Sequence, residues 1–130
     1  MQIEMKDKKI IVDGIEYVEA STVDSAPAES LDGMPYVIIR GYRAGCHAGY
    51  LKSKKVEGAM SVVTLIKGRR LWYWDGAATL SQIAEEGFSK PDKCKFPCEV
   101  SEYEVYDVSE ILKTTEKAKS CIQGIKIWSA

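Results

Sequence analysis

Four β-rich runs follow one another through the middle of this chain with only short connections between them. They occupy residues 36–42, 50–56, 59–66 and 69–74, and glycines punctuate the segments that join them. Consecutive strands joined this closely pair antiparallel, because a parallel pair needs a crossover of a dozen or more residues. The middle of the chain is therefore predicted to form an antiparallel meander, in which Lys67-Gly68 is the turn between the third and fourth strands.

A short helix is predicted directly after the meander. Residues 77–86 place Leu80, Ile83 and Ala84 on one face, with Thr79 as an N-terminal cap and Gly87 as a stop. This spacing is typical of an amphipathic helix that packs on a sheet.

The last third of the chain predicts a second helix and three short strands. The helix begins after Thr114 or Thr115, runs to about Ile122 and is closed by Gly124, and the strands occupy residues 93–96, 103–108 and 125–128. Hydroxyl caps and a terminal glycine are the usual boundaries of such a helix. The predicted fold class is α+β, a mostly antiparallel sheet with two short helices.

The N-terminal part of the chain predicts a separate hairpin. Residues 8–19 (KKIIVDGIEYVE) contain two apolar runs around an Asp13-Gly14 turn, which indicates a β-hairpin. Residues 20–34 are small, polar and acidic and predict a linker. We therefore divide the chain into residues 1–34, the hairpin and linker, and residues 35–130, the main domain, which is long enough to bury one core.

Positive charge is concentrated in the middle of the chain although the net charge is only −1. All four arginines lie between residues 36 and 74, a region with eight basic residues and a single acidic residue, Glu57. A near-neutral protein with a basic middle indicates a local anion site rather than a broad surface for duplex DNA.

No stretch of the sequence approaches the roughly 20 apolar residues of a membrane span. The first residues (MQIEMKDKK) lack the apolar run of a signal peptide. We therefore expect a cytoplasmic protein without a membrane partner, in which the four cysteines remain reduced.

Residues 69–74 (RRLWYW) carry the densest cluster of guanidinium groups and aromatic rings. On a strand, Arg70, Trp72 and Trp74 share one face, while Arg69 and Tyr73 share the other. Such a face could stack a nucleobase and pair with a phosphate. The alternative is that at least one tryptophan belongs to the core and that one of the two arginines remains available to a ligand.

Further basic residues could close the same pocket. Arg40, Arg43 and Lys52 lie on the neighbouring runs or their turn, among tyrosines. Tyrosines that alternate with basic residues are typical of surfaces that hold nucleotides or single strands. An ordinary solvated sheet face has the same pattern, and that alternative stays open.

The cysteines and the single histidine predict neither a metal site nor catalysis. Cys94 and Cys98 lie four residues apart, about 13 Å on an extended strand, which is too far to share one zinc ion with Cys46 and His47. His47 lies in a glycine-flanked turn with no motif that supplies a nucleophile or a carboxylate partner. We therefore predict no catalytic residue, no metal and no cofactor.

Three motifs in this sequence resemble a known group of proteins. They are RRLWYWDGAATLSQIAEEG (69–87), PDKCKF (91–96) and TEKAK (115–119), ahead of Trp128. This pattern resembles a family of small phage and prophage proteins of unknown function, and the likeness covers about residues 36–128. The resemblance implies a phage origin and a bacterial cytoplasm, but no reaction.

Three hypotheses of function follow. The first is a non-catalytic phage anti-defence protein, acting as a homo-oligomer, that sequesters a small anionic nucleotide signal such as a cyclic oligonucleotide or cyclic ADP-ribose. The second is an accessory protein that binds single-stranded nucleic acid, for which affinity falls steeply with salt. The third is a structural or protein-interaction module in which the tryptophans form core or subunit contacts.

Overall fold

The computed structural model describes residues 26–129 in full and, before them, the backbone of three short strands. These are β1 (Ile3–Lys6), β2 (Lys9–Val12) and β3 (Ile15–Val18), paired antiparallel in that order. The predicted hairpin is confirmed by the pairing of β2 with β3, and β1 is an additional strand that the sequence pattern did not indicate. The Asp13-Gly14 turn, Glu19 at the end of the predicted hairpin and residues 20–25 of the predicted linker lie outside the described residues.

The main domain is built on a five-stranded antiparallel sheet. Its strands are β4 (Tyr36–Gly41), β5 (Gly45–Glu57), β6 (Met60–Arg70), β7 (Val100–Tyr106) and β8 (Val108–Lys113). They lie in the order β7-β6-β5-β4-β8. The predicted α+β class is confirmed, and β4, β5 and β6 form the predicted meander.

The predicted fourth strand of the meander is wrong. β6 continues through Lys67 and Gly68 to Arg70, and the residues beyond it contribute only a single bridge between Tyr73 and Lys95. Lys67 adopts a positive φ of 53° inside the strand, and the register with β5 shifts at this level, as expected of a β-bulge. A Cβ on Gly49 would lie 2.9 Å from the Cα of Gly68, so the two backbones stay close here because neither carries a side chain.

The predicted strands of the last third are also revised. Residues 93–96 and 125–128 form only isolated bridges, including a parallel one between Phe96 and Ile127, and a 3-10 turn occupies Pro91–Lys93. The predicted strand at residues 103–108 is two strands, because the chain bends at Asp107 with φ 59°.

Two helices cover one face of the sheet, and both predicted caps are confirmed. In α1 (Leu80–Glu86) the Thr79 hydroxyl accepts a hydrogen bond from the backbone N–H of Gln82 at 3.1 Å, and Gly87 ends the helix with φ 75°. In α2 (Glu116–Gly124) the Thr115 hydroxyl accepts from the N–H of Ala118 at 3.1 Å. The core beneath the helices is formed by residues from both layers: Tyr36, Ile38, Ala48, Tyr50, Ile83, Phe88, Phe96 and Ile122.

The opposite face of the sheet curls around a second core. β7 at one edge of the sheet runs into β8 at the other edge through the single residue Asp107. The N–H of Tyr42 donates to the Asp107 carbonyl at 2.9 Å, and a Cβ on Gly41 would lie 3.2 Å from Val105. The sheet therefore curls into a small open barrel, whose edge strands β7 and β8 meet at Asp107 but are not paired with each other. Its interior is filled by Val37, Ile39, Val63, Leu65 and Val105.

Residues 26–34, which the sequence assigns to the linker, pack on the main domain. The N–H of Ala28 donates to the Thr114 carbonyl at 3.1 Å, and the N–H of Glu116 donates to the Ala26 carbonyl at 2.8 Å. Leu31 and Met34 contact the core beneath the helices. This segment is a docked part of the fold, and the division into two domains stays a prediction. No helix in the described part of the chain is long and apolar enough to cross a membrane.

Candidate functional site

A cavity opens at the mouth of the barrel, where the β4–β5 turn faces the junction of β7 and β8. Its volume is about 550 Å³, within the range of small-molecule sites. We call it the barrel-mouth cavity. It is lined by Tyr42, Arg43, Ala44, His47, Met60, Arg70, Tyr103, Glu104, Val105, Tyr106 and Asp107.

Two of the predicted ligand-binding residues meet at this cavity. Arg70 is the last residue of β6 and pairs with His47 on β5, while Arg43 lies in the exposed β4–β5 turn. The Arg70 Nη1 donates to the carbonyl of Ala44 at 2.8 Å. Neither guanidinium forms an ion pair with a carboxylate of the described residues, so both are available to an anion.

The cavity also carries two acidic residues, so its wall is not uniformly positive. Glu104 and Asp107 lie on the β7 side. A hydrogen bond to the Glu104 carboxylate raises the pKa of the Tyr106 phenol. Carboxylates can accept hydrogen bonds from hydroxyl or amino groups of a ligand, whereas the guanidinium groups attract its anionic part.

His47 and Tyr103 form a hydrogen-bonded pair in the cavity wall. A carbonyl can only accept, so the His47 Nε2–H donates to the Ala44 carbonyl at 2.9 Å, and Nδ1 accepts from the Tyr103 hydroxyl at 2.8 Å. Burial, together with nearby Arg70, lowers the pKa of His47 against the opposing effect of that carbonyl. Burial raises the pKa of Tyr103 to about 12, with Arg70 opposing. Both side chains are therefore neutral at neutral pH.

Gly68 makes room for this pair. A Cβ at Gly68 would lie 2.2 Å from Cε1 and 2.7 Å from Cζ of the Tyr103 ring. The absence of a side chain at Gly68 thus admits a tyrosine ring.

Arg69 points away from the cavity and anchors the end of α2. Its side chain is only 3% exposed. The Nε donates to the Pro97 carbonyl at 2.8 Å, Nη1 to the Ile122 carbonyl at 2.8 Å, and Nη2 to the Ile125 carbonyl at 2.6 Å. The guanidinium also lies 5.4 Å from the centre of the Phe96 ring. Because its donors serve the fold, we do not assign Arg69 the phosphate-binding role that the sequence suggested.

The aromatic residues of the predicted site leave the sheet after Arg70 and do not line the cavity. Trp72 and Tyr73 are exposed, and the Trp72 ring stacks on Trp128 with centroids 5.0 Å apart. Trp74 is partly buried and packs against Phe88 at 6.3 Å between ring centroids. One tryptophan thus belongs to the core, as the sequence analysis anticipated.

Arg40 and Lys52 are paired with acids away from the cavity. Arg40 lies opposite Cys46 on the helix-covered side of the sheet, 3.4 Å from the carboxylate of Glu110. The Lys52 Nζ donates to Glu102 at 2.8 Å. Of the eight predicted ligand-binding residues, the structure therefore brings only Arg43 and Arg70 together at the cavity.

The sequence pattern did not single out Tyr42, Tyr103 and Tyr106, which surround the two arginines. Tyr42 follows β4 directly, so its place in the turn was readable, but the approach of Tyr103 to His47 depends on strand pairing. Within residues 26–129, no group of three or more His, Cys, Asp or Glu side chains is placed to hold a metal ion.

A family model described as a domain of unknown function, DUF6948, matches residues 34–122 of the chain. The match covers more than half of the sequence and overlaps the region of the predicted resemblance. Comparison with curated proteins gave no match, and comparison with solved structures gave none either. The phage origin stays a prediction.

Proposed function

We propose that this chain, which belongs to the DUF6948 family of domains of unknown function, binds and sequesters a small anionic nucleotide in the barrel-mouth cavity. The observation that carries the proposal is the meeting of Arg43 and Arg70, both without a carboxylate partner among the described residues, with three tyrosines around a 550 Å³ cavity. Positive charge beside flat rings is the chemistry that nucleotides require.

Each part of a nucleotide has a counterpart in the lining. The guanidinium groups of Arg43 and Arg70 supply several donors for phosphate oxygens. The rings of Tyr42 and Tyr106, which are 75% and 51% exposed, offer surfaces on which a base can stack. Glu104 can accept from ribose hydroxyls or from the amino group of a base, which favours a nucleotide over a simple inorganic anion.

The groups that titrate in the cavity favour binding over chemical turnover. Both ring nitrogens of His47 are engaged, one with Ala44 and the other with Tyr103. The pKa of Tyr103 is raised to about 12, far from the range in which a general acid or base works at neutral pH. We therefore propose storage of an unchanged ligand.

The biological setting completes the proposal. A small non-catalytic protein of a phage, in the cytoplasm of its bacterial host, could withdraw a nucleotide signal of host defence. This setting rests on the resemblance and on the size of the chain. The exposed rings of Tyr42 and Tyr106 could also be covered by a second copy of the chain. We therefore include a homo-oligomer in the proposal.

The test is calorimetric titration of the full chain with cyclic dinucleotides, cyclic trinucleotides and cyclic ADP-ribose isomers. We expect Arg70→Gln and Arg43→Gln each to weaken binding about ten- to a hundredfold, the effect of losing a hydrogen bond to a charged group. Ligand recovered after denaturation should be chemically unchanged.

Arg40→Gln is the matched control, because Arg40 is an exposed arginine on the other side of the sheet with Glu110 as its partner. Its affinity should equal that of the unaltered protein. Equal losses for Arg40→Gln and Arg70→Gln, or no binding of any of these nucleotides, would overturn the proposal. Light scattering with and without ligand tests the oligomer separately.

A further inference from the structure

A second cluster of rings and cations lies outside the barrel-mouth cavity. Trp72 and Trp128 stack in parallel, with centroids 5.0 Å apart and an angle of 9° between the rings. They are 57% and 48% exposed, and neighbouring Tyr73 is 48% exposed. Large exposed aromatics grouped in this way mark a binding surface more often than isolated ones do.

The backbone holds these rings in place. The N–H of Trp128 donates to the Phe96 carbonyl at 2.8 Å, and Tyr73 and Lys95 exchange backbone hydrogen bonds at 2.8 and 3.3 Å. Phe96 itself is fully buried. The indoles are thus presented by a segment tied to the core, so a ligand meets a preorganised surface.

The geometry of the pair determines how a ligand can use it. Two parallel rings 5.0 Å apart leave no space for a third ring between them. An incoming aromatic group must therefore stack on an outer face and extend the existing stack. Nucleobases do this irrespective of their sequence, because every base has a flat π-face.

Positive charge lies beside the stack. The Lys95 Nζ lies 5.5 Å from the centre of the Tyr73 ring and 5.9 Å from that of Trp128. An adjoining groove of about 700 Å³ is lined by Lys93, Lys95 and Lys126, with Asp92 as the one carboxylate in its described lining. Lysines beside a groove attract the phosphates of a nucleic acid backbone.

We propose that this stacked-indole site, formed by Trp72, Trp128, Tyr73 and Lys95 with Lys93 and Lys126 in the groove, binds single-stranded nucleic acid. An unpaired base stacks on the indole pair, and successive phosphates follow the lysines along the groove. The lysines favour a nucleic acid over an apolar protein segment, which would leave their charges without partners. The two exposed indoles and the groove of about 700 Å³ beside them favour a strand over a single nucleotide.

The test is fluorescence anisotropy with labelled oligothymidylate or oligouridylate of about 16 nucleotides, using the full chain. We expect Trp72→Ala and Trp128→Ala each to weaken binding at least about tenfold. Trp72→Phe keeps a ring and should retain most of the affinity. Lys95→Gln should weaken binding and reduce the slope of log affinity against log salt by about one.

Lys117→Gln is the matched control, because Lys117 is an exposed lysine on α2 outside the groove, and it should leave both the affinity and the salt slope unchanged. Circular dichroism of each variant excludes unfolding as the cause of a loss. Three results would overturn the proposal: no binding at about 50 mM salt, affinity indifferent to both tryptophan substitutions, or equal affinity for a duplex or for thymidine monophosphate. None of these results bears on the barrel-mouth cavity.

Discussion

Replacing Arg69 with alanine tests whether this buried arginine is a structural anchor. The guanidinium joins β6 to three backbone carbonyls on the segment after the 3-10 turn and at the end of α2, at distances of 2.6 to 2.8 Å. Arg69→Ala removes all three donors at once. It also removes a cation from the C-terminal end of a helix, where positive charge is stabilising.

The size of the effect can be worked out from these contacts. A buried acceptor left without its donor costs about 1–3 kcal/mol. With partial rehydration of three carbonyls, we expect the free energy of unfolding to fall by about 3–5 kcal/mol. Domains of this size are stable by about 5–15 kcal/mol in total. With a urea dependence of about 2 kcal/mol per molar, the unfolding midpoint should fall by about 2 M.

Urea denaturation followed by circular dichroism and tryptophan fluorescence measures this loss. Arg70→Ala is the matched control, since Arg70 is exposed, and should change the free energy of unfolding by less than about 1 kcal/mol. Arg69→Lys should fall between the two, because one ammonium group cannot reach three carbonyls on separate segments. Equal midpoints for Arg69→Ala and Arg70→Ala would refute the assignment of Arg69 as an anchor.

Three further predictions concern stability. Gly68→Ala should lower the free energy of unfolding by about 1–3 kcal/mol, because its Cβ would displace the Tyr103 ring. Gly124→Ala is the control and should leave the free energy of unfolding nearly unchanged, because a Cβ there meets nothing within 4 Å. Equal urea midpoints for the two variants would contradict this prediction. Burial lowers the pKa of His47, so as the pH falls the unfolded chain binds a proton before the folded chain does. Stability should therefore be complete above the ordinary pKa of about 6.5 and fall as the pH drops below it; thermal melts should show this slope, and His47→Gln should flatten it. Thr115→Ala should cost about 1 kcal/mol through loss of the α2 cap, and an unchanged melting temperature would contradict the cap's contribution.

The parts of the fold that depend on local chemistry were predictable from the sequence. Thr79 and Thr115 cap their helices because a hydroxyl accepts from a nearby N–H within the same segment. Lys67-Gly68 has the local pattern of a turn, yet β6 continues, because Gly49 on the neighbouring strand leaves space for close pairing. That continuation depends on a residue distant in sequence, and no local pattern records it.

The site was predictable only in part for the same reason. An extended strand over residues 69–74 would place Arg70 beside Trp72 and Trp74. The strand ends at Arg70 instead, so the arginine stays at the barrel while the tryptophans follow the chain elsewhere. The hydrogen bond between His47 on β5 and Tyr103 on β7 crosses the intervening strand β6, and such a contact arises from register rather than from composition.

The continuous run through Asp107 also has a consequence for biosynthesis. β4, β5 and β6 leave the ribosome before β7 and β8, as a ribbon whose two outer strands have no neighbours in the main sheet until residues 100–113 follow. Both neighbours then arrive together, since one residue separates them. Bare strand edges recruit other chains, and pairing between distant segments is slow. The delay before residues 100–113 emerge is thus the period in which self-association competes most strongly with completion of the native sheet.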